Sequence, residues 1–160
     1  MIRPVVVALG AALVGSPASA QPWGQSQPPD QWVMNCNLEK GRDCTVSVMA
    51  DGGPNNLLGT FLIVSYSAAN NTLAVVADGM GQSASIQVDW NPYITTNTCA
   101  GGVCTFPQVP SADLLQQMLN GQRIVVQASL QSDSVAGPLQ QSLSGFAAQY
   151  RRAVAAQKGR

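Results

Sequence analysis

Ile86-Gln87-Val88-Asp89-Trp90 and Cys99-Ala100-Gly101-Gly102-Val103-Cys104 are the two segments, within residues 86–121, on which the fold of this chain depends. The first segment alternates apolar and polar residues, which is the pattern of a half-buried strand. The second segment places two cysteines around a glycine pair, which predicts a tight loop closed by a disulfide. Residues 111–120 then have the apolar spacing of a short helix, which Gly121 ends. We expect strands before this stretch, and after it a segment that completes the sheet.

The predicted helix at residues 111–120 begins at Ser111, a favourable N-cap, and Asp113 lies in its first turn, where the helix dipole stabilises an anion. Its apolar stripe consists of Leu114, Leu115, Met118 and Leu119. A last amphipathic helix is predicted from Ser144 to about Ala156. Phe146, Tyr150 and Val154 recur there at a spacing of four residues, which places them on one face.

Alternation with period two predicts further strands along the chain. The predicted strands are residues 31–36, 44–50, 58–66, 72–77, 83–90, 123–130 and 139–143, and the turns between them include 37–43, 51–56, 78–81 and 133–137. Trp32 and Trp90 lie in alternating segments, so we expect both in the core. Many short strands with two small helices predict a mainly β (α+β) fold, a β-sandwich-like antiparallel domain with two short helices and two disulfides.

All four cysteines, Cys36, Cys44, Cys99 and Cys104, lie after residue 20. If the chain is exported, as its first twenty residues indicate below, an even number predicts two disulfides, and the sequence alone allows three pairings. We favour the two local pairs, Cys36 with Cys44 and Cys99 with Cys104, because each would close one turn between or beside strands. A zinc site would need all four cysteines as thiolates. The cysteine spacings here are longer than those of usual zinc sites and the chain has no histidine ligand, so we expect no metal.

Residues 1–20 have the pattern of a signal peptide. Arg3 gives a positive start, residues 5–14 are a short apolar run, and Ala18-Ser19-Ala20 is the small-residue motif before a cleavage site. The run is shorter than the ~20 residues of a membrane-spanning helix, so cleavage after Ala20 is favoured over a retained anchor. We therefore expect a periplasmic or secreted protein whose mature chain has no transmembrane segment.

The mature chain divides into a flexible leader at residues 21–30, one domain at residues 31–156 and a tail at residues 157–160. The leader is rich in Pro, Gln and Gly, which cannot bury a core. Because Arg3 is removed with the signal, the mature chain has seven basic and eight acidic residues. This balance argues against nucleic acid and anionic membranes as partners, because both need clustered cations.

Residues typical of catalysis are scarce. The chain has no histidine, which removes the usual general base and most metal sites. Most of its acids fall in predicted turns or caps, where aspartate has local backbone roles. Asp89 could face a groove, but we favour an aspartate that ends a strand and accepts N–H bonds of a turn. We therefore predict no enzyme activity, no catalytic residue and no cofactor.

A binding surface is predicted near the disulfide-closed loop. Tyr93, just before this loop, is the favoured exposed aromatic contact, and the loop itself contributes Ala100, Gly101, Gly102 and Val103. For Tyr93 itself we nevertheless favour packing in the core or in a turn over an exposed contact. The proposed partner is an unknown protein or envelope component.

Several of these features together resemble the invasion-associated locus B family of exported bacterial proteins. The matching residues are Trp32, Cys36, Cys44, Val88-Asp89, Cys99 to Cys104, Leu114-Leu115, Gly121, the strand 124–130 and the segment from Pro138 to Phe146. The resemblance covers about residues 31 to 156. It implies a β-rich fold, a periplasmic or surface location and a role in host-cell interaction, and it brings no catalytic residue.

The residues and the resemblance together favour a non-enzymatic exported envelope protein that acts as a protein- or envelope-binding module. The alternatives are a structural or stress-protective periplasmic protein, and a small-ligand carrier that would use an apolar cavity inside the sandwich.

Overall fold

The computed structural model describes residues 31–37, 43–51, 61–132 and 134–159. The predicted signal peptide and leader lie outside these residues, and so do most of the predicted turns at 37–43 and 51–56.

Ten strands and two helices make up the described chain. They are β1 (Val33–Asn37), β2 (Asp43–Asp51), β3 (Phe61–Ser67), β4 (Thr72–Val76), β5 (Met80–Val88), β6 (Ile94–Thr96), β7 (Cys99–Ala100), β8 (Val103–Phe106), α1 (Gln108–Asn120), β9 (Arg123–Leu130), β10 (Val135–Ser142) and α2 (Phe146–Lys158). This composition confirms the predicted mainly β fold with two helices.

The strands form two antiparallel sheets. The first has six strands in the order β1-β2-β3-β4-β8-β7, and the second has four in the order β10-β9-β5-β6. Strand β10 also contacts β2 and β3 of the other sheet. The predicted β-sandwich-like architecture is therefore confirmed.

Alternation along each strand builds one shared core. In β3, Leu62, Val64 and Tyr66 are fully buried, while the residues between them are partly exposed. Strand β9 repeats the pattern with buried Ile124 and Val126. Because successive side chains of a strand point to opposite faces, each sheet has one face in the core and one face outside.

The sheets meet where the chain crosses from one to the other. The backbone N–H of Ala77 donates to the carbonyl oxygen of Gly102 at 3.3 Å, next to the β4–β5 turn. On the return path, the Thr96 hydroxyl donates to the carbonyl oxygen of Thr105 at 2.7 Å. The N–H of Thr105 donates to Thr98 at 2.9 Å. These bonds tie the short strands β6, β7 and β8 into one corner.

Helix α2 closes the core over β1 and β2. The rings of Trp32 and Phe146 lie 4.7 Å apart edge to face, and those of Tyr66 and Tyr150 lie 5.6 Å apart. The indole N–H of Trp32 donates to the carbonyl oxygen of Ser142 at 2.8 Å. Trp32 is therefore a core residue, as predicted, and its polar atom has a partner.

The beginnings of both helices differ from the sequence-based prediction. Helix α1 begins at Gln108, with Pro107 before it, so Ser111 is not the N-cap and Asp113 is not in the first turn. Pro110 does not prevent this earlier start, because the N–H groups of a first helical turn have no partner inside the helix. Helix α2 begins at Phe146 and not at Ser144.

Ser111 instead joins α1 to the six-stranded sheet. Its side chain is fully buried. The hydroxyl donates to the carbonyl oxygen of Phe106 at 2.8 Å and accepts the backbone N–H of Leu73 at 3.1 Å. The residue that the sequence indicated as a cap is therefore a buried link between helix and sheet.

Two strands are longer than predicted. Strand β5 begins at Met80, within the predicted turn 78–81, and it ends at Val88, before Trp90. Strand β10 begins at Val135, so the predicted turn at 133–137 is wrong from Val135 onward. A change of register between Ala136 and Leu139 marks a bulge that accommodates Gly137 and Pro138 on this edge strand.

Both disulfides are local, as predicted. Cys36 is bonded to Cys44, and Cys99 is bonded to Cys104. Each pair joins residues that lie directly opposite in a hairpin, β1–β2 and β7–β8. The disulfides therefore close the two hairpins at the outer edges of the six-stranded sheet.

Gln141 is a polar residue buried in the core. Its side chain is 2% exposed on β10, on the same face as Leu139 and Leu143. Neither the oxygen nor the nitrogen of its amide has a hydrogen-bond partner among the described residues. A buried amide without partners costs folding free energy.

We expect Gln141→Leu to raise the free energy of unfolding by about 1–3 kcal/mol, because the substitution removes the uncompensated amide. Urea-induced unfolding of the oxidised protein measures this change. Gln140→Leu, on the exposed face of the same strand, is the control and should change stability by less than about 0.5 kcal/mol. A destabilised Gln141→Leu variant would contradict the expectation.

Tyr66 makes stability depend on alkaline pH. Burial, and to a smaller extent the neighbouring Tyr150, raises the pKa of Tyr66 to about 12. Its hydroxyl donates to the side-chain oxygen of Asn71. In the unfolded chain the pKa of tyrosine is about 10, so the unfolded state loses this proton first as the pH rises. The contribution of Tyr66 to the free energy of unfolding is therefore complete below about pH 10 and declines between about pH 10 and 12.

We expect the stability difference between the wild type and Tyr66→Phe to shrink across this alkaline interval. The two free energies of unfolding are compared at about pH 8, 10 and 11. Parallel pH curves for the two proteins would show that the phenol does not ionise preferentially in the unfolded state.

Candidate functional site

The predicted loop between Cys99 and Cys104 is a two-residue hairpin turn. Ala100 pairs with Val103, and Gly101 and Gly102 have φ angles of 57° and 83°. Positive φ at both central positions is the geometry that suits a tight hairpin, and glycine adopts it without strain. Ala100 and Gly101 are exposed, so part of the predicted surface is accessible.

This turn lies beside an open cleft. The cleft has a volume of about 580 Å³, and Gly101 and Gly102 line it together with residues of the β4–β5 turn. A second open cleft of about 650 Å³ lies on the other side of Met80 and is lined mainly by β5, β9 and the start of β10. Ser129 lines this second cleft, where its hydroxyl oxygen accepts the backbone N–H groups of Gln82 and Ser83 at 2.9 Å each.

Tyr93 lies at the opposite end of β5 from the hairpin turn. It directly precedes β6, whose Ile94 pairs with Ile86, whereas Gly102 bonds to Ala77 before β5 begins. Tyr93 is 42% exposed. The structure therefore does not bring Tyr93 and the turn residues 100–103 into one surface.

Trp90 is the residue that sequence reasoning misplaced. The alternating pattern predicted it in the core, but its side chain is 87% exposed. The strand ends at Val88, and Asp89 has a φ of 51°, so the chain leaves the sheet before Trp90. The alternation continues in the sequence for two residues after the strand has ended.

Asp89 holds the turn after β5. Its carboxylate accepts the backbone N–H groups of Gln122 and Arg123, both at 3.1 Å from Oδ1. Gly121 makes this approach possible, because a Cβ atom there would lie 2.6 Å from Val88 and 2.9 Å from the Asp89 carboxylate. Asp89 therefore has the local backbone role that the sequence favoured.

Arg123 connects this turn to the exposed aromatic ring. Its guanidinium carbon lies 4.4 Å from the centre of the Trp90 ring, within the range of a cation–π contact. Asn91 supports the turn from the other side, since its side-chain amide donates to the carbonyl oxygen of Val88 at 3.0 Å. We call Trp90, Tyr93 and Arg123 the aromatic patch.

The aromatic patch has unused hydrogen-bond donors. Within the described ranges, no hydrogen bond involves the indole N–H of Trp90, the hydroxyl of Tyr93 or the guanidinium of Arg123. A large exposed aromatic residue held in place by neighbours is typical of recognition surfaces, and Trp, Tyr and Arg are the residues enriched where binding energy concentrates.

Among the described residues, no group of three or more His, Cys, Asp or Glu side chains is arranged to hold a metal ion. No helix among them is long and apolar enough to cross a membrane.

No protein-family model matches the sequence. No curated protein matches it in a sequence comparison. Among solved structures, the chain is similar to the crystal structure of invasion associated protein B from Bartonella henselae, with a TM-score of 0.55 and 18% sequence identity. The similarity covers 82% of this chain and 97% of that one. It confirms the resemblance at the level of architecture: this chain has a fold like that of invasion associated protein B.

Proposed function

We propose that the mature protein is a non-enzymatic, exported binding module that recognises an envelope component through the aromatic patch. The single observation that carries this proposal is the 87% exposure of Trp90, with the Arg123 guanidinium 4.4 Å from its ring. An exposed indole loses contact with water on binding, which is favourable. Its position is set before binding, which lowers the entropic cost of association.

Export is part of the same proposal. Residues 1–20 would be removed after Ala20, leaving the leader 21–30 and the domain 31–156. Two disulfides support this, because disulfides form and persist in oxidising compartments. The name of invasion associated protein B states a role in invasion for that protein. For this chain, contact with a host cell is one form of binding that the proposal includes.

The absence of enzyme activity is also proposed. It rests on the histidine-free sequence and on the role of Asp89, whose carboxylate is engaged by two backbone N–H groups. A general acid or base needs a free position next to a substrate.

We expect Trp90→Ala to reduce binding of the mature, oxidised protein to envelope preparations of the source bacterium by at least about tenfold, because hot-spot residues contribute about 2 kcal/mol or more. Co-sedimentation with the envelope fraction measures this binding. Val109→Ala is the matched control, since Val109 is an apolar side chain 75% exposed on α1. Both variants should keep the circular dichroism and disulfides of the wild type.

The variant Ala100→Arg tests whether binding takes place at the hairpin turn or at the aromatic patch. Ala100 is exposed, so a large side chain fits there without disturbing the core, and we expect envelope binding to be unchanged. If Ala100→Arg abolished co-sedimentation while Trp90→Ala did not, the binding surface would be the turn at Ala100–Val103 and the proposal for the patch would be wrong.

A further inference from the structure

The outer face of the four-stranded sheet continues from the aromatic patch and is lined by amides and hydroxyls. Three cross-strand rows follow from the register: Thr95, Ser85 and Gln127; Gln87, Val125 and Gln140; and Arg123 with Ser142. In the first row Ser85 is only 9% exposed and its hydroxyl is bonded to that of Thr95 at 2.8 Å, so Thr95 and Gln127 are its accessible members. Tyr93 lies two residues before Thr95, next to the second row. The patch and the three rows therefore form one continuous surface, which we call the amide face.

Charge on the amide face is limited to Arg123. The other members of the rows are neutral, and Val125 is the single aliphatic side chain among them. A protein interface usually has an apolar or aromatic centre, and an anionic membrane or nucleic acid calls for several cations. On this face Arg123 is the single cation, the aromatic residues Trp90 and Tyr93 lie at one end, and the middle row is Gln87, Val125 and Gln140. Its chemistry is therefore that of a neutral, hydroxyl- and amide-rich ligand.

Free hydrogen-bonding capacity lies in the middle of this surface. In the part of the chain that the structure describes, the side-chain amides of Gln127 and Gln140 have no hydrogen-bond partner. Gln87 uses its amide N–H once, to the carbonyl oxygen of Asn91 at 2.8 Å, which leaves its amide oxygen free to accept. Each glutamine amide has two donors and one acceptor oxygen, so it can bond a hydroxyl or another amide in either direction.

Trp90 supplies the apolar part of such a site. Arg123 covers one face of the indole, and the 87% exposure leaves the rest of the ring open. The C–H groups of a sugar ring carry partial positive charge and pack well on the electron-rich face of an aromatic ring. The combination of an open indole with a row of amides fits a carbohydrate better than it fits a peptide.

We propose that the amide face binds an extended glycan chain of the cell envelope, built from N-acetylated, β-1,4-linked sugars. One ring would stack on Trp90, and the following sugars would lie across β6, β5, β9 and β10. Three strand spacings are about 14 Å, a length suited to about three sugar units. This inference rests on the proposed function and names the chemistry of its ligand.

The test uses the β-1,4-linked hexasaccharide of N-acetylglucosamine and the mature, oxidised protein. Isothermal titration calorimetry should show binding, and the tryptophan emission should shift to the blue as Trp90 leaves water. Trp90→Ala should lose the emission shift and weaken binding by at least about tenfold. Gln127→Ala and Gln140→Ala should each weaken binding about three- to tenfold.

Gln116→Ala is the matched control, because Gln116 is an exposed glutamine on α1, and it should bind as the wild type does. No heat of binding and no emission shift at millimolar hexasaccharide would overturn the inference. Binding that is lost in Trp90→Ala but unchanged in both Gln127→Ala and Gln140→Ala would also overturn it, since the sheet face would then play no part.

The co-sedimentation experiment separates the two proposals. If Trp90→Ala loses envelope binding but the hexasaccharide does not bind, the glycan inference fails while the binding module stands, with a protein as the partner that remains. If Trp90→Ala sediments with envelopes as the wild type does, the proposed function itself fails.

Discussion

Burial of one face of each sheet in a single core is the constraint on which the rest of the structure depends. Because side chains alternate along a strand, burying Ile86 and Val88 requires Gln87 to point outward, and burying Ile124 and Val126 does the same for Val125. The amide face is therefore a direct consequence of core packing. Its side chains are held in register by the same hydrogen-bonded ladder that supports the core.

A second constraint acts at the end of β5. Hydrogen bonds to a charged acceptor are stronger than neutral ones, and the Asp89 carboxylate accepts two backbone N–H groups from the α1–β9 corner. These bonds stabilise the positive φ of Asp89, which turns the chain out of the sheet. Trp90 is thereby presented to solvent beside Arg123, so the aromatic patch depends on a contact between segments more than thirty residues apart.

The two ends of β5 have different features. One end has the hairpin closed by the Cys99–Cys104 disulfide and two open clefts, and the other has the aromatic patch. At 18% identity, the similarity to invasion associated protein B concerns architecture. A fold accommodates many functions, so the proposals here rest on the surface residues of this chain.

Local patterns in the sequence were sufficient to predict the features that neighbouring residues encode. Period-two alternation located most strands, cysteine spacing indicated both disulfides, and Gly121 marked the end of α1, because these signals involve residues close together in the chain. Tertiary structure decided what depends on distant partners. Trp90 continues the alternation but lies outside the sheet, since Asp89 bonds to residues 122 and 123. Ser111 has the chemistry of a cap but is buried, since Leu73 and Phe106 are its partners. Gln141 is polar in sequence yet lies in the core, because the register of β10 places it beside Leu139 and Leu143.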